Sequence, residues 1–191
     1  MKAIIMILIL AGSSGIFANA QNKRDGVYLS LRDYENSKPS YTKNDGYKIH
    51  FNEFLKKPFI TMNHDGQRST VFKDEIFAFR HNDNVIRTWN LIPYNLLEQG
   101  IILIYYKDQA VSRGKGMKAE RKYFYSTADK DEIIPLTILN LKNSFPDKYL
   151  FQNFLDAQFK NDSELSLYDE FSKQYKVNQL LKTTVYSKYK N

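Results

Sequence analysis

The sequence predicts an α+β protein in which an antiparallel β meander, or a small barrel-like sheet, is followed by three or so C-terminal helices packed on it. Between Tyr41 and Ser126, apolar and polar residues alternate with period two, which is typical of strands with one buried face. Turn-forming residues separate the alternating runs at the short spacing of antiparallel hairpins. From about Ile134 onward, the apolar residues recur at helical spacing instead.

The N-terminal segment has the layout of a secretory signal peptide. Lys2 supplies a positive charge, and Ile4–Leu10 forms an apolar run that is shorter than the roughly 20 residues needed to span a bilayer. Ala18 and Ala20 provide the two small side chains that a signal peptidase accepts. We expect cleavage after Ala20, which makes Gln21 the mature N-terminus.

This cleavage divides the chain into a signal peptide, residues 1–20, and a single α+β domain, residues 21–191. The domain is expected to be β-rich over about 27–127 and helical over about 134–188. The chain has no cysteine, which excludes a lipoprotein anchor, disulfide bonds and zinc sites built from thiolates. No second apolar run reaches membrane-spanning length. We therefore expect an exported protein of the periplasm or the extracellular medium, with no transmembrane segment after signal removal.

The β region is predicted to consist of short strands joined by turns. Val27–Leu29 opens it, and Ser30 is the expected N-cap of a brief helix that ends before Pro39. A connector broken by Pro93 and a loop over residues 113–118 interrupt the later strands. The strands are expected at 47–51, 59–62, 69–72, 75–80, 85–89, 101–106 and 121–126.

Three apolar stripes at helical spacing predict the C-terminal helices. They comprise Phe151, Phe154, Leu155 and Phe159; Leu167, Tyr168, Phe171 and Tyr175; and Val177, Leu180, Leu181 and Val185. Asn161 is the expected cap between the first two stripes, with Glu164 reaching back to it. Most aromatic residues, Phe154 and Phe171 among them, are expected on buried faces, whereas Trp89 at a strand end anchors the core or lines a groove.

Several plain segments carry a resemblance to a group of proteins. They are the opening Gly26–Ser30, the stretch Asp74–Ile104, and the ending from Leu139–Asn143 through Tyr175–Asn178. With these segments the chain resembles uncharacterised exported proteins of Bacteroidetes-type bacteria. The resemblance implies export and a single-domain layout, and it implies no activity and no site.

One local concentration of positive charge is a candidate anion-binding segment. Its cations are Arg113, Lys115, Lys118, Arg121 and Lys122, with one acid among them. Gly114-Lys115-Gly116 lacks the spacing and the Ser or Thr of a P-loop, so nucleotide binding is not implied. The mature net charge of +6 comes from evenly mixed cations and acids, which is also typical of a solvated surface.

The sequence contains no recognisable catalytic, metal or cofactor motif. His50, His64 and His81 have no zinc-site spacing, and Asn82–Asn84 and Asp129–Glu132 both fail the calcium-loop pattern. No G-x-S-x-G motif is present. A dispersed carboxylate or histidine site leaves no local signal, and the acids nearest the central stretch are Glu75, Asp83 and Glu98. We therefore expect no cofactor and no metal site.

These observations favour an exported cell-envelope protein that acts by non-catalytic binding or assembly. Two alternatives stay open. One is an envelope hydrolase with a dispersed site, and the other is a binder of anionic polymer or lipid through residues 113–122. The expected partner is an envelope protein or an anionic polymer, and nucleic acid is not favoured.

Overall fold

The fold consists of antiparallel strands followed by helices, in a computed structural model that describes residues 24–50, 57–81, 84–113, 116–129 and 131–186. In chain order the strands are β1 (Gly26–Tyr28), β2 (Lys48–His50), β3 (Phe59–His64), β4 (Gln67–Phe72), β5 (Ala78–His81), β6 (Asn84–Trp89), β7 (Ile92–Gln99), β8 (Leu103–Arg113), β9 (Gly116–Ser126), β10 (Ile134–Pro135), β11 (Tyr168–Asp169) and β12 (Gln174–Tyr175). The helices are α1 (Leu31–Glu35), α2 (Ile138–Ser144), α3 (Tyr149–Gln158) and α4 (Lys176–Tyr186), with 3₁₀ turns at Lys43–Asp45 and Asp162–Ser166. No helix within these described ranges is long and apolar enough to cross a membrane.

Among the described residues, seven strands form one large antiparallel sheet in the order β1-β5-β6-β7-β8-β9-β10. From β5 to β10 each strand pairs with its neighbour in sequence, and β1 joins by pairing Val27 with Phe79. The sheet is open, because β1 and β10 lie at its two edges. The predicted α+β class, with an antiparallel meander followed by C-terminal helices, is confirmed, and the meander does not close into a barrel.

One face of the large sheet, here termed the packed face, carries two separate apolar clusters. The strand register shows that both clusters lie on this face. Asn95 pairs with Ile86 on one side and with Tyr106 on the other, and residues paired across strands lie on the same face of a sheet. At one end, the three-stranded sheet β2-β3-β4 packs on Phe79 and Ile86. At the other end, the C-terminal helices pack on β8 and β9 through Leu141, Phe151, Leu155, Val177, Leu180 and Leu181, all buried. Helices this short depend on such burial for their stability.

The opposite face, termed the Arg87 face, carries a polar side chain among aromatic ones. The strand register places Arg87 beside Tyr94, and Tyr105 beside Phe124. Near β1, helix α1 covers this face by packing Tyr34 on Tyr28, with 5.4 Å between the ring centroids. The Arg87 face is therefore covered by fewer apolar elements than the packed face.

Helix α4 is fixed to the β7–β8 turn by a polar clamp. The Asn178 side chain accepts a hydrogen bond from the Ile102 amide at 3.0 Å and donates to the Ile102 carbonyl at 2.9 Å. It also donates to Glu98 Oε1 at 2.9 Å, and Glu98 Oε2 accepts from the Tyr175 amide at 2.6 Å. The Glu98 carboxylate thus sits at the N-terminus of α4, where negative charge is favoured. A Cβ at Gly100 would lie 2.4 Å from Asn178 Nδ2, so the clamp requires glycine there.

The cap predicted at Ser30 is confirmed, and the cap predicted at Asn161 is confirmed in part. Ser30 caps α1 by accepting from the Asp33 amide at 3.1 Å. Asn161 caps the 3₁₀ turn that follows α3, and the Glu164 carboxylate reaches back to the Lys160 amide. The turn predicted at Asn82–Asn84 falls partly outside the described residues, and Asn84 itself begins β6.

The predicted connector around Pro93 is wrong, because residues Ile92–Gln99 form strand β7. A two-residue turn replaces it, with Asn90 at φ 49° and Leu91 at φ 63°. Proline is tolerated because Pro93 pairs with Thr88 next to this turn, at a position where β8 does not pair with β7.

The loop predicted over residues 113–118 is also wrong, because β8 runs to Arg113 and β9 begins at Gly116. The second predicted helix, over 167–175, is a small hairpin of β11 and β12. The Asp169 carboxylate accepts from the Phe171 amide and from Ser172, and these bonds hold the turn and lower the pKa of Asp169. Phe171 is therefore 99% exposed, and Phe154 is 44% exposed, where both were expected to be buried.

Candidate functional site

The predicted anion-binding cations lie on a two-stranded ribbon. β7 pairs with β8 through Leu103–Tyr106, and β10 pairs with β9 at Tyr125 and Phe124. Beyond those pairs, Lys107–Arg113 and Gly116–Lys122 pair with each other in the described structure. The ribbon therefore projects from the sheet with two outer edges.

The ribbon distributes its cations between two faces. Lys118 and Lys122 lie on one face of β9, with Glu120 between them on the same face, whereas Arg121 belongs to the other face. Lys122 pairs with Glu120 at 2.6 Å. Lys115 and the side chain of Arg113 lie outside the described structure. The geometry thus does not bring the described cations Lys118, Arg121 and Lys122 together around one point.

Arg121 is the most constrained of these cations. Its Nε and Nη2 donate to the two Asp108 carboxylate oxygens at 3.1 and 3.4 Å, and its guanidinium lies 3.9 Å from the Tyr106 ring centroid. The hydrogen bonds to Asp108 raise the pKa of Arg121 above its ordinary value. Because the Asp108 carboxylate already neutralises it, Arg121 offers little charge to a second anion.

A cleft of about 700 Å³ opens at the end of β6, and it was not anticipated from the sequence. Its walls are the β1–α1 link at Leu29–Leu31, the segment Lys73–Phe77 that precedes β5, and the strand end Arg87–Leu91. Two apolar side chains stand at the rim, Leu29 at 37% and Leu91 at 49% exposure. The volume lies within the range of small-molecule sites.

Two buried cations line this cleft, Arg87 and Lys73, each with 4% of its surface exposed, and the exposed acids Asp74 and Glu75 line it as well. Arg87 is the one whose contacts can be followed in detail. Its Nη1 donates to the Tyr105 hydroxyl at 3.1 Å and to Ser126 Oγ at 3.2 Å, and its Nη2 donates to the Asp131 carbonyl at 2.7 Å. Burial raises the pKa of Tyr105, so that hydroxyl is neutral. No carboxylate in the described part of the chain forms an ion pair with Arg87.

Aromatic rings take the place of a counterion. The Arg87 Cζ lies 5.3 Å from the Phe77 ring centroid and 5.6 Å from the Trp89 ring centroid, both within cation–π range. Two buried donors on the same face of β6, Arg87 Nε and Trp89 Nε1, have no hydrogen-bond partner among the described residues. Unpaired buried donors are rare and costly, so this pair marks the Arg87 face as a place where an acceptor would be stabilised.

The rim of the cleft contains backbone strain. Leu91 adopts a left-handed conformation that disfavours a branched side chain, and it follows Asn90 in the same region. Glycine would relieve the strain at this turn, yet the chain has a leucine whose side chain is half-exposed beside the cleft. Strained residues of this kind cluster at functional sites.

The histidines and acids considered for catalysis do not form a metal site. Within the described residues there is no group of three His, Cys, Asp or Glu side chains placed to hold an ion. His64 stacks on Tyr47 with 4.3 Å between ring centroids. Glu75 accepts from the Phe72 amide and Glu98 is bound in the α4 clamp, while Asp83 lies outside the described residues.

No protein-family model, no curated protein and no solved structure matches the chain. The site must therefore be argued from its own geometry. The one sequence signal that could have found it is the charged Arg87 in the otherwise apolar alternation Val85–Trp89, on a strand predicted to be central. A charge at a buried strand position indicates either a paired ion or a binding site.

Proposed function

We propose that the protein is an exported, non-catalytic binding protein of the cell envelope, whose Arg87 cleft takes a small ligand that carries a carboxylate on an apolar body. The observation that carries this proposal is the buried guanidinium held by neutral groups and rings alone, beside a second unpaired donor on Trp89. An anionic acceptor gains from a cation that no carboxylate of the described residues neutralises. The apolar rim of Leu29 and Leu91 suits the remainder of the ligand.

The fluorescence of Trp89, the one tryptophan in the chain, tests this proposal directly. We expect phenylacetate to change the emission in a saturable way and phenylacetamide, which lacks the charge, to do so far less. Leu29→Glu places a negative charge at the exposed rim and should weaken phenylacetate binding, whereas Leu139→Glu on the exposed surface of α2 should not. The ligand should be recovered chemically unchanged.

Equal responses to the acid and the amide, or no response to either, would refute the charged cleft. Conversion of the ligand would instead favour the hydrolase alternative. Arg87→Gln is a harsher variant, since it removes donors used by two buried hydroxyls and by the part-buried Asp131 carbonyl. Its loss of binding is therefore interpreted only if circular dichroism shows a folded protein.

Export is part of the same proposal and rests on the signal-peptide pattern of residues 1–20. Intact mass of the protein secreted by an expressing bacterium should correspond to a chain that begins at Gln21. Ala18→Phe should prevent the cleavage, because it puts a bulky side chain where the peptidase accepts a small one. A full-length mass for the exported wild type would exclude the signal peptide.

A second candidate function is the binding of an anionic polymer by the ribbon. The observation that favours it is the alignment of Lys107, Lys118 and Lys122 on one ribbon face. We expect retention on heparin that falls steeply with salt and with Lys118→Ala plus Lys122→Ala. The matched control is Lys148→Ala plus Lys182→Ala, two exposed lysines on other elements. Retention that ignores salt, or that both double variants change equally, would dismiss this function.

A further inference from the structure

The outer edge of β9 presents backbone groups on the ribbon that pair with no strand of the described residues. The Tyr123 carbonyl accepts from the Leu136 amide at 3.0 Å, so Tyr123 directs its backbone groups away from β8. Because the direction alternates along an antiparallel strand, Arg121, Ala119 and Met117 direct theirs outward as well. No β10 residue reaches these three, since β10 ends at Pro135.

We propose that this edge pairs with the same edge of a second copy of the chain, in an antiparallel, two-fold register centred on Ala119. In that register Lys118 of each copy faces Glu120 of the other, and Met117 faces Arg121. The two ribbons then form one four-stranded sheet, held by about six main-chain hydrogen bonds across the new ladder. Such a contact is isologous and closes, so it makes a dimer and not a fibre.

Charge complementarity selects this register. Centring on residue 118, 120 or 121 places Lys118, Glu120 or Arg121 opposite itself, with like charges facing each other. Centring on Ala119 instead brings two opposite-charge pairs together around an uncharged axis. The other ribbon edge lacks this property, because centring β8 on Ala110 sets Lys107 opposite Arg113.

Two further observations agree with this pairing. Met117 is 71% exposed on the ribbon, and the register lays it against Arg121 and the Tyr106 ring of the other copy. A cleft of about 570 Å³ lies where β10 ends, lined by Lys122, Tyr123, Pro135 and Asp162 among others. β10 ends at Pro135 and therefore does not pair with Met117, Ala119 or Arg121, the described residues that carry the proposed ladder.

Sedimentation equilibrium of the mature protein at up to about 100 µM should show a monomer–dimer equilibrium, as expected of a small interface. Lys118→Glu should weaken the dimer roughly tenfold or more, because both new pairs are repulsive. Glu120→Lys should do the same. The double exchange, Lys118→Glu with Glu120→Lys, should restore most of the affinity. A monomer throughout, or a double exchange as weak as the single ones, overturns the register.

The absence of natural cysteine allows a covalent test of the same contact. Ala119→Cys places two thiols across the two-fold axis, at the Cα separation of about 5.5 Å that a disulfide accepts. Mild oxidation should therefore yield a covalent dimer of this variant. The control is Ala110→Cys, which is equally exposed and pairs with Ala119 across the hairpin. Cross-linking of both variants alike, or of neither, contradicts the proposed edge.

Discussion

Removal of the Asn178 side chain should destabilise the fold more than any exposed substitution on the same helices. Asn178→Ala deletes two buried hydrogen bonds to Ile102 and a part-buried one to Glu98, and it leaves the Ile102 amide and one Glu98 oxygen without that partner. A neutral buried bond contributes about 1 kcal/mol and a bond to a charged group about 1.5–3 kcal/mol. We therefore expect a loss of about 3.5–5 kcal/mol, a large part of the roughly 5–15 kcal/mol that stabilises a typical domain.

Gly100 makes this prediction sharper, because its absent Cβ is the space that Asn178 occupies. Gly100→Ala alone should be destabilising, since the new Cβ would lie 2.4 Å from Asn178 Nδ2. In the double variant Gly100→Ala with Asn178→Ala, the clash disappears together with the amide. The double variant should therefore be more stable than the sum of the single losses predicts, by about 1–2 kcal/mol.

Urea unfolding followed by Trp89 fluorescence and by circular dichroism gives the free energies of unfolding, provided that the m-values agree. The matched control is Asn153→Ala on the exposed side of α3, which should be neutral or slightly stabilising because alanine favours helices. A loss below about 1 kcal/mol for Asn178→Ala, or strict additivity with Gly100→Ala, would refute the clamp as the element that fixes α4.

Two other predictions concern the turn beside the cleft and the loss of folding stability at alkaline pH. Leu91→Gly creates an Asn-Gly turn and removes a side chain from a left-handed residue, for a net gain of about 1 kcal/mol. The melting temperature should therefore rise by about 2–4 °C. A lower melting temperature would contradict the strain at Leu91. Burial raises the pKa of Tyr34 from 10.0 to about 12, so its contribution is complete below pH 10 and is lost as the pH rises through 12. In Tyr34→Phe, the slope of the unfolding free energy against pH between 10 and 12 should be smaller by about one proton. An unchanged slope would contradict the raised pKa of Tyr34.

The sequence allowed the sheet to be predicted because its strands obey a local rule. Alternation predicts most of the hairpins, and Asp65-Gly66, with φ of 52° and 78°, forms the tight turn that joins β3 to β4. The same reasoning failed at β7, because nothing in the sequence Asn90-Leu91 indicates that the leucine adopts a left-handed backbone conformation. An apparent connector with a proline was in fact a strand whose proline falls where no partner needs its N–H.

The helical tail shows where spacing alone misleads. Residues 167–175 match a helical stripe as well as 151–159 do, but Asp169 captures the Phe171 amide and Lys173 adopts φ 54°. A side chain that binds nearby backbone competes directly with a helix. The hairpin therefore depends on local hydrogen bonds of Asp169, to Phe171 and Ser172, which apolar periodicity does not reveal.

The candidate site could be predicted only in part, for a different reason. The cations at 113–122 were visible in the sequence, but whether they share a face depends on strand register. The Arg87 cleft needs three distant segments, at 29–31, 73–77 and 87–91, to meet. No local sequence pattern predicts that distant segments come together. Arg87, a charged residue within a predicted strand, was the one sign of the cleft in the sequence.

The strand order has a consequence for how the chain acquires its structure. From β5 to β10 every pairing joins sequence neighbours, and such local contacts form quickly. β1 is the exception, because its residue Tyr28 pairs with Ala78 of β5, which lies far along the chain. During synthesis from the N-terminus, β1 can bond Tyr41 early, but it lacks its partner in the large sheet until β5 has emerged. Closure of that long loop is the natural candidate for the slow step in folding, and substitutions in β1 should slow folding more than those in the hairpins.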